Sequence, residues 1–514
     1  MFKYSFYRTT TTILFSGYFC HCHRHVEKNI NKEGYPIFRQ KGAPSKKGEP
    51  VYSQNDISLR NGKNGSQCWV TYKDGVYDIT DFIKKHPGGE SFILNAAGGP
   101  VDDFWEYWGL HHYSKEVSER LESLRIGKFS DYDYSKDEFE NNMYLNEGTR
   151  NPKLKPYIFQ PFEAETPSFA LSSDKYTDSS LFYVRNHAPV PYVEEGDKHK
   201  IFFVDENGKQ KKIATPNDLI KKFGTREITS VLQCAGNRAN ENIQKLGPSK
   251  MSGKPSEKVG YGLIGNAKWS GIPLDKVLYD VYPELVSASD SEIERKHLVL
   301  YGADEYVSSV PLKKILRDNL RRKNCLLATK MNEQPLSLDH GSPIRVILPG
   351  IVGARSVKWL IKVELKNEET DTCWNKYFYK KEGHPCMEIP VNSLITQIKR
   401  EQDVFIVYGI AYGDGVNIED IEVSIDKGVS WTKINLPNNE NSKNGLETSP
   451  YGWTRWRYRL PISELSDKKN KDNEIWCRAI SDKGTQVSKL GSISKEKKND
   501  GYLYNGWHQA KLVK

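Results

Sequence analysis

The chain has 514 residues, of which 27% are charged and 11% aromatic, and its formal net charge at pH 7 is +9. This length excludes a single hydrophobic core, so two to four domains are expected. The positive charge indicates anionic partners without choosing among nucleic acid, membrane surfaces and small oxyanions. The eight cysteines are widely spaced, apart from Cys20 and Cys22, which excludes a disulfide framework and predicts reduced thiols.

The amino terminus, residues 1–49, is predicted to be a presequence and leader. Its first 25 residues, MFKYSFYRTTTTILFSGYFCHCHRH, include Lys3, Arg8 and Arg24 but no acidic residue. This composition is typical of a mitochondrial presequence, and the apolar run at positions 13–20 is too short to cross a bilayer. No other segment of the sequence is predicted to cross a membrane. A second interpretation is that the CHCHRH tract binds a metal ion.

Residues 50–130 are predicted to form a small α+β unit. In QCWVTYKDGVYDIT, two short strands are joined at Asp74-Gly75, which is a hairpin signal. Further along, His86 precedes Pro87-Gly88-Gly89, where a helix cannot continue and the backbone can approach a flat ligand closely. Apolar and aromatic side chains flank this motif in the sequence: Phe82, Ile83, Phe92, Ile93, Leu94, Phe104, Trp105 and Leu124. From the residues alone, His86 is either a ligand of a flat cofactor or a loop histidine in a small core.

The HPGGE motif at residues 86–90 resembles that of cytochrome b5-type haem domains. In that family a second histidine, 25 positions further on, supplies the other axial bond to the haem iron. The matching residue is His111, and the adjacent His112 is the alternative. Because two imidazoles fill both axial positions, the resemblance implies a domain that carries one electron at a time and has no open site for oxygen chemistry.

Residues 131–167 are predicted to be a flexible linker, because the stretch is first acidic, then proline-rich, and has no sustained period. A flexible linker suits a carrier domain that visits an electron donor and then an external acceptor. Beyond it, residues 168–388 mix short strands with predicted helices such as TPNDLIKKF and PLDKVLYDVY, which indicates a mixed α+β domain.

Three patches of the central domain are rich in groups that bind anions. They are LFYVRNHAPVP, VLQCAGNRANENI and MNEQPLSLDHGSPIRVILPGIVGARSVKWL. Guanidinium groups and backbone N–H groups among glycine turns suit a phosphate-bearing cofactor, whereas one patch alone would also fit a surface rich in salt bridges. Within the second patch, Cys234 follows a β-branched strand. From the residues alone, Cys234 is a core residue, a nucleophile or a metal ligand.

Residues 389–514 show a period of two, which predicts short strands separated by glycine and aspartate turns. The strand segments lie in DVFIVYGIAYGDG, IEDIEVSIDKGVSWTKINL, WTRWRYRLPI and NEIWCRAISDKG. This pattern indicates an immunoglobulin-like β-sandwich. Ile421, Val423 and Ile425 would share one face of a strand, and Cys477 is predicted to be a core residue.

Together, the central patches resemble the sulfite oxidase family of molybdenum enzymes, whose animal members place a cytochrome b5-type domain before the molybdenum domain. The resemblance implies a multidomain α+β protein with a cytochrome b5-like haem domain at 50–130, a mixed α+β molybdenum-cofactor domain at 168–388 and an immunoglobulin-like dimerisation domain at 389–514. It implies that Cys234 bonds to molybdenum as a soft thiolate donor, and that His86 and His111 bond to the haem iron.

The resemblance also implies the residues of the molybdenum site. The molybdopterin and its phosphate would be held by Tyr183, Val184, Arg185, Asn186, His187, Asp304, His340, Arg345, Ser356, Val357 and Lys358. Arg185 also matches a substrate-facing arginine of the family, and Tyr379 matches a tyrosine at the substrate pocket. A guanidinium group suits a small oxyanion because it can bind two oxygens at once.

Some positions depart from the family's pattern. The chain has Ala239 where the family usually has a second arginine after CAGN, and Asp500 where the family has an arginine before the carboxy-terminal WH. Phe378 stands where the family often has an acid, and a pocket tryptophan has no clear counterpart. A pocket with fewer cations is expected to bind sulfite more weakly, unless Arg238 or Lys380 supplies the charge.

The resemblance implies oxidation of sulfite to sulfate, with electrons leaving singly through the haem to cytochrome c. It also implies a homodimer in the mitochondrial intermembrane space that binds no nucleic acid. Two alternatives stay open. A nitrate reductase-like enzyme is disfavoured, because it would carry the haem domain after the molybdenum domain. A haem and molybdopterin electron carrier with another oxyanion substrate, or without sulfite turnover, is kept open by Ala239 and Asp500.

Overall fold

The computed structural model describes residues 48–86, 89–107, 111, 115–133, 147–194, 196–253, 255–376, 378–434, 449–465, 473–486 and 499–512. The chain divides into two compact units, Met1–Met143 and Tyr144–Lys514. Nearly all of the predicted leader, including the CHCHRH tract, lies outside the described residues. Among the residues described, none of the helices combines the length and the apolar character needed to cross a membrane.

The first unit contains a five-stranded sheet and short helices. In spatial order the strands are Val51–Tyr52, Arg125–Phe129, Gly75–Asp78, Trp69–Tyr72 and Gly99–Pro100. The described α-helices are Gln54–Leu59, Glu90–Ile93, Asp102–Tyr107 and Lys115–Glu122, with 3-10 turns at Ile83–Lys85 and Leu94–Ala96. The predicted hairpin is confirmed, although its turn is Lys73-Asp74, because Tyr72 already pairs with Gly75.

Side chains of this hairpin are buried on both faces of the sheet, as the alternation along a strand requires. Val70 and Tyr72 pack in one apolar cluster, which also includes Phe104 and Trp105. Trp69, which directly precedes Val70 in sequence, packs on the other face in a separate cluster. Trp105 of the first cluster stacks on His111 with ring centres 5.2 Å apart, so this cluster forms an apolar wall next to the histidines considered below.

Three sheets of more than two strands are formed by the described residues in the central region of the second unit. The first sheet consists of Lys155–Phe159, Phe162–Glu165 and Val184–Arg185. The second consists of Gln210–Ala214, Ile201–Val204, Leu360–Lys366, His297–Gly302 and Val307–Pro311. The third consists of Arg226–Gln233, Ile264–Pro273, Leu326–Met331, Gln334–Pro335 and Arg345–Ile347. A further hairpin pairs Lys380–Lys381 with His384–Pro385.

The first of these sheets corrects the predicted linker. Its hairpin, Lys155–Phe159 with Phe162–Glu165, lies within residues 131–167, and it buries Phe162 and Ala164 in a cluster with Val184. The proline-rich composition conceals this hairpin, because prolines stand at its first strand and at its turn, both positions that tolerate proline. The prediction of a linker is therefore wrong over this hairpin, and residues 134–146 lie outside the described residues.

The helices of the second unit flank these sheets. Those described are Pro216–Phe223, Ala239–Leu246, Leu274–Val281, Asp290–Arg295, Leu312–Leu316, Asn319–Asn324 and Cys373–Lys376. The shorter 3-10 turns are Ser168–Leu171, Gly196–Lys198, Pro255–Lys258, Pro283–Val286, Leu338–His340, Gly353–Arg355 and Ile462–Leu465. Both helices predicted from sequence are confirmed. The first begins at Thr215, whose hydroxyl and Asp218 form a capping box.

The described residues of the carboxy-terminal region form two antiparallel sheets. One consists of Asn392–Glu401, Val404–Tyr412 and Thr454–Pro461; the other of Thr432–Ile434, Ile418–Ser424, Glu474–Ser481, Gly484–Thr485 and His508–Lys511. Both sheets contribute to one apolar core that includes Phe405, Trp456, Ile421, Val423 and Cys477. The predicted strands and the core position of Cys477 are confirmed.

The carboxy-terminal region is joined to the central region by buried hydrogen bonds. The N–H of Val231 donates to the carbonyl of Tyr451 at 2.8 Å, and the N–H of Leu503 donates to the carbonyl of Ala235 at 2.8 Å. These bonds fall on both sides of Cys234. The two regions therefore share backbone partners at the segment that carries this cysteine.

The buried His508 should make the stability of the second unit depend on pH. Its Nδ1 accepts the N–H of Ile395 at 3.1 Å, and burial lowers its pKa to about 4. As pH falls below about 6.5, the unfolded state gains the proton first, so the free energy of unfolding decreases until about pH 4. The loss from this residue is expected to be about 3 kcal/mol, since one pKa unit corresponds to about 1.4 kcal/mol.

Denaturant unfolding at pH 7.5 and 4.5 measures this effect. The His508→Gln variant keeps an acceptor for Ile395 and does not titrate, so its free energy of unfolding should fall less than that of the natural protein. The charged neighbours Arg238 and Glu241 are the same in both proteins. Equal losses in the two proteins would contradict the prediction.

Candidate functional site

A cavity of about 610 Å³, including the space that opens to solvent, lies within the second unit. It is lined by Phe182, Tyr183, Arg185, His187, Leu232, Cys234, Asp304, Tyr306, Asp339, His340, Arg345, Gly353, Ala354, Ser356, Val357, Lys358 and Tyr379. All three sequence patches that were predicted to bind anions contribute to this wall. The fold therefore gathers segments far apart in sequence around one space.

Cys234 is held at the end of the strand Arg226–Gln233 by backbone bonds. Its N–H donates to the carbonyl of Leu263 at 2.9 Å, and its own carbonyl accepts the N–H of Asn237 at 3.1 Å. The Asn237 side chain in turn accepts the N–H of Leu263 at 3.0 Å, which closes the turn. Burial raises the pKa of the Cys234 thiol, and the positive charge of Arg185 opposes that rise. The thiol is thus fixed in the wall of the cavity beside a cation.

Arg185 forms an ion pair next to Cys234. Its Nη1 donates to a carboxylate oxygen of Glu163 and, at 3.0 Å, to the carbonyl of Asn186. The Glu163 side chain is 4% exposed, whereas that of Arg185 is 24% exposed. The guanidinium group of Arg185 therefore lines the cavity, and the carboxylate of Glu163 is buried behind it.

Lys358 and Asp339 belong to a second charged group of the wall. Nζ of Lys358 donates to the side-chain oxygen of Asn186 and, at 2.9 Å, to the carbonyl of Asp339. Both carboxylate oxygens of Asp339 accept from Arg150, at 2.7 and 2.8 Å. Asp339 therefore lies between two cations, Arg150 and Lys358. Burial lowers the pKa of Lys358, and the nearby Asp339 and Asp304 oppose that change.

Arg345 is the third cation of the wall, and it fits an anionic ligand. Its Nη1 and Nη2 donate to the carbonyls of His340 and Ser356 at 3.1 and 3.0 Å, and its guanidinium lies 5.4 Å from the ring centre of Trp269. Its Nε is buried and has no hydrogen-bond partner within the described residues. A buried donor without a partner is costly, so a ligand oxygen at this position would stabilise the site.

The residues present therefore fit a molybdenum–molybdopterin cofactor. Cys234 offers a soft sulfur ligand, while Arg345 and Lys358 offer positive charge to a phosphate. The wall also approaches closely at Gly353, where a Cβ atom would lie 2.8 Å from the hydroxyl of Tyr183. A larger residue at this position would reduce the space in the cavity.

Aromatic side chains form another part of the wall. The hydroxyl of Tyr379 and Nε2 of His187 are 2.5 Å apart, and the His187 ring stacks on Tyr306 with centres 4.6 Å apart. Trp374 contacts both rings from behind, at 4.4 and 5.6 Å. Burial lowers the pKa of His187 well below its usual value, and Arg185 and Lys358 add to this effect. His187 is therefore neutral, and it orients the hydroxyl of Tyr379.

Ala239 and Asp500, which stand where the family has arginines, bring no cation to the cavity. Ala239 is fully buried at the start of the helix Ala239–Leu246. Asp500 pairs with Lys250 at 2.6 Å and accepts the N–H of Glu382 at 2.7 Å. Neither residue lines the cavity.

Arg238 does not compensate for the missing cations. It is fully buried, and Glu241 accepts from its Nε and Nη2 at 2.6 and 2.9 Å, while Asn392 accepts from its Nη1 at 2.9 Å. The expectation that Arg238 adds charge at Cys234 is therefore wrong, because a carboxylate already compensates it. Lys380 does not line the cavity either, and Glu369 lies 4.0 Å from its Nζ.

Most of the predicted site residues meet at this cavity. Those that line it are Tyr183, Arg185, His187, Cys234, Asp304, His340, Arg345, Ser356, Val357, Lys358 and Tyr379. Val184 and Asn186 do not: Val184 packs in the apolar cluster behind the wall, and Asn186 bridges Lys358 and Asp339. The sequence analysis missed Glu163, Tyr306, Gly353 and Ala354. Gly353 and Ala354 stand in the third patch, whereas no sequence signal distinguished Glu163 or Tyr306.

The first unit places His86 and His111 close together with nearly parallel rings. Their ring centres are 6.3 Å apart and their planes differ by 10°. Imidazole nitrogens stand about 2 Å from a coordinated metal, so two such bonds account for about 4 Å of this spacing, and the ring radii account for the rest. Nδ1 of His86 lies 3.1 Å from the carbonyl of Gly89, which can only accept, so the proton is on Nδ1 and Nε2 is the nitrogen for a metal. This geometry fits a haem iron, and His112 lies outside the described residues.

Three family models match the chain. The model described as "Cytochrome b5-like Heme/Steroid binding domain" matches residues 53–130, and "Oxidoreductase molybdopterin binding domain" matches residues 187–374. The third, "Mo-co oxidoreductase dimerisation domain", matches residues 384–514. These matches confirm the haem and the molybdenum–molybdopterin as the cofactors predicted from sequence.

Named relatives match most of the chain. The protein named "Sulfite oxidase, mitochondrial" of Drosophila melanogaster is 34% identical over 495 residues, covering 90% of this chain and 81% of that protein. The protein of the same name from Rattus norvegicus is 31% identical over 486 residues, covering 89% of this chain and 83% of that protein. Among solved structures, the sulfane dehydrogenase SoxCD from Paracoccus pantotrophus aligns with a TM-score of 0.53 and 21% identity, covering 71% of this chain and 86% of that one. At this identity, the likeness to SoxCD is one of fold.

Proposed function

The chain belongs to the sulfite oxidase family of molybdenum enzymes, and from that membership we propose that it oxidises sulfite to sulfate in the cavity around Cys234. The observation that carries the proposal is the placement of a buried thiol and a partly exposed guanidinium in one wall, Cys234 beside Arg185. A sulfur ligand and an oxyanion-binding group are the two elements that the reaction needs from the protein.

When bound, molybdenum–molybdopterin supplies two-electron oxygen-transfer chemistry, and the haem carries one electron at a time. The residues of this chain provide positioning. Cys234 would hold the metal, while Arg345, Lys358, Ser356, Val357, Asp304, His340, Tyr183 and His187 would hold the pterin and its phosphate. Val184 and Asn186 would act from behind the wall, as Asn186 does by orienting Lys358.

Arg185 and Tyr379 would bind the substrate. The Arg185 guanidinium has donors for two oxygens of an oxyanion. With Nε2–H of neutral His187 donating to the Tyr379 oxygen, the Tyr379 hydroxyl would donate its own proton to a third oxygen. The wall of Tyr306, Trp374 and Tyr379 would keep bulk water from this end of the cavity, which strengthens each polar contact.

In the first unit, His86 and His111 would bind the haem and keep both axial positions closed. Electrons would then leave singly to an external acceptor, for which we propose cytochrome c. We further propose a homodimer located in the mitochondrial intermembrane space. The composition of the first 25 residues and the names of the relatives support the mitochondrial location, and the matched dimerisation model supports the dimer.

We propose the domain boundaries predicted from sequence: a leader at 1–49, a haem domain at 50–130, a molybdopterin domain at 168–388 and a dimerisation domain at 389–514. The hairpin before residue 168 packs with the molybdopterin domain. The two antiparallel sheets around one apolar core support an immunoglobulin-like arrangement for the last domain.

A second candidate is an enzyme of the same family that acts on another oxyanion. The observation that favours it is the small number of cations near Cys234, because Ala239 and Asp500 stand where the family has arginines and neither lines the cavity. The test of the first proposal is sulfite-dependent reduction of the haem, and then of added cytochrome c, by protein loaded with both cofactors. Loaded protein that reduces neither with sulfite would contradict sulfite oxidation and favour the second candidate.

The Arg185→Gln variant should bind sulfite more weakly. A hydrogen bond to a charged group contributes roughly 1.5–3 kcal/mol, so the Michaelis constant is expected to rise on the order of tenfold to a hundredfold. Steady-state kinetics at matched molybdenum content measure the change. Arg226→Gln, a substitution of the same type at the start of the strand that ends before Cys234, is the control and should leave the constant unchanged. Equal constants for Arg185→Gln and the natural protein would place the substrate elsewhere.

A further inference from the structure

The ion pair between Glu163 and Arg185 in the cavity wall affects which anions the site can bind. Glu163 lies in the strand Phe162–Glu165, which pairs with the strand that carries Arg185. The register sets Glu163 directly opposite Arg185, so the two side chains meet on one face of the sheet. The pair is therefore built into the fold and not formed by two mobile surface side chains.

The lining cations outnumber the lining carboxylates by one, and Glu163 behind the wall pairs with one of those cations. The lining cations are Arg185, Arg345 and Lys358, and the lining carboxylates are Asp304 and Asp339. Arg345 and Lys358 are tied to the segments around His340, Ser356 and Asp339, on the side proposed for the cofactor. Beside Cys234 the lining cation is Arg185, and its charge is compensated by the carboxylate at its back.

A guanidinium that is paired on one side still offers N–H donors on the other. It can therefore recognise the geometry of an oxyanion, but it supplies little net positive charge to it. A dianion would also be repelled by the carboxylate across a buried region of low dielectric constant, where unit charges interact strongly. The arrangement thus penalises a second negative charge on the ligand more than the first.

We propose that Glu163 is a specificity-determining residue that acts through Arg185 and makes the pocket select monoanionic over dianionic tetrahedral or pyramidal oxyanions. For the proposed reaction, the preferred substrate form is then hydrogen sulfite, and the dianionic product sulfate is released readily. This inference rests on the proposed role of Arg185 as the residue that binds the oxyanion substrate. Glu163 touches Arg185 and is a positioning residue, not a catalytic one.

The second oxygen of Glu163 supports a role beyond anchoring. Oε2 is buried, and burial raises the pKa of Glu163, while Arg185 and a hydrogen bond with Tyr157 oppose that rise. A buried carboxylate is costly to the fold even when it is paired. A glutamine would keep an acceptor for Arg185 and bring less charge into the interior, so anchoring alone does not require glutamate. What glutamate adds at this position is the negative charge.

The test compares two oxyanions of similar size, sulfate as the dianion and methanesulfonate as the monoanion, by isothermal titration calorimetry. The protein carries both cofactors at matched molybdenum content. Glu163→Gln should tighten sulfate binding on the order of tenfold to a hundredfold and methanesulfonate binding by much less. The ratio of the two affinities should therefore rise by about tenfold or more.

Glu165→Gln is the matched control. Glu165 stands two residues further along the same strand and accepts the N–H of Gly262 at 2.7 Å, away from Arg185. Its substitution should leave the ratio unchanged. In the double variant Glu163→Gln with Arg185→Gln, the gain in sulfate affinity should disappear, because the two residues act as one unit.

The proposal is overturned if Glu163→Gln leaves the ratio as it is, or if Glu165→Gln shifts it equally. Should Glu163→Gln fail to fold, the natural protein still decides: tenfold tighter binding of sulfate than of methanesulfonate would overturn the proposal. Sulfite turnover measured on the same samples separates the two ideas. Absence of turnover with the expected ratios refutes the proposed function alone, whereas turnover with unchanged ratios refutes the role of Glu163 alone.

Discussion

Replacement of Cys234 by serine is expected to abolish sulfite-dependent reduction of the haem, with a loss of activity of more than about a hundredfold. Removal of an outer partner of a metal ligand already costs roughly 10–100-fold, and this substitution removes the proposed ligand itself. A hydroxyl is a hard donor that poorly replaces a thiolate at molybdenum. The cavity wall should persist, because Cys234 is positioned by backbone bonds from Leu263 and Asn237 that serine also makes.

Rapid mixing with sulfite, followed by the haem absorbance, measures this loss. Chemical reductants should still reduce the haem, which shows that the first unit is intact. Cys477→Ser is the control, since Cys477 is equally a buried cysteine but lies in the core of the carboxy-terminal sheets. Full sulfite activity in Cys234→Ser, or an equal loss in Cys477→Ser, would contradict the assignment of Cys234.

The second large effect concerns the haem. Replacing either His86 or His111 by alanine is expected to abolish the six-coordinate, low-spin absorption spectrum, because each ring would supply one of two axial bonds. Haem content after purification and the absorption spectrum of both oxidation states measure the change. Sulfite oxidation with an artificial acceptor that takes electrons at the molybdenum site should continue in both variants.

His112→Ala is the control for this prediction, because it removes an imidazole one position away from His111 in sequence. The His112 variant should retain the full haem content and the unchanged spectrum. Loss of haem in the His112 variant, together with normal haem in His111→Ala, would reverse the assignment of the second axial ligand.

Local sequence signals predicted much of the fold. The hairpin at Trp69–Tyr72, the capped helix after Thr215 and the carboxy-terminal strands were each identified by short-range patterns of apolar and turn residues. The hairpin at Lys155–Phe159 was missed, because prolines near its turn and first strand gave it the composition of a linker. Its stability comes from burying Phe162 with Val184, a contact between segments that the local pattern does not show.

The site was predicted where chemistry and family resemblance coincided, as at Cys234 and Arg345. Residues that affect the site only by pairing with another site residue were not predicted from the sequence. Glu163 looks like an ordinary strand residue until its register with Arg185 is known. The role of Arg238 was also misjudged: its pair with Glu241 is a local contact three residues apart that went unnoticed, and its bond to Asn392 joins segments that only the fold brings together. Pairings of this kind depend on tertiary distance, which one sequence does not contain.

The backbone bonds from the carboxy-terminal region to the segment around Cys234 bear on how mutations in the gene would act. Leu503 donates to Ala235, and Asn499 donates to Asn242 at 2.8 Å, so the last described stretch of the chain supports the turn after Cys234. A stop codon that removed only this stretch would expose Ala235 and Asn242 to solvent or leave them unpaired. Late truncations should thus behave genetically as null alleles of the molybdenum site, not as variants that merely fail to dimerise.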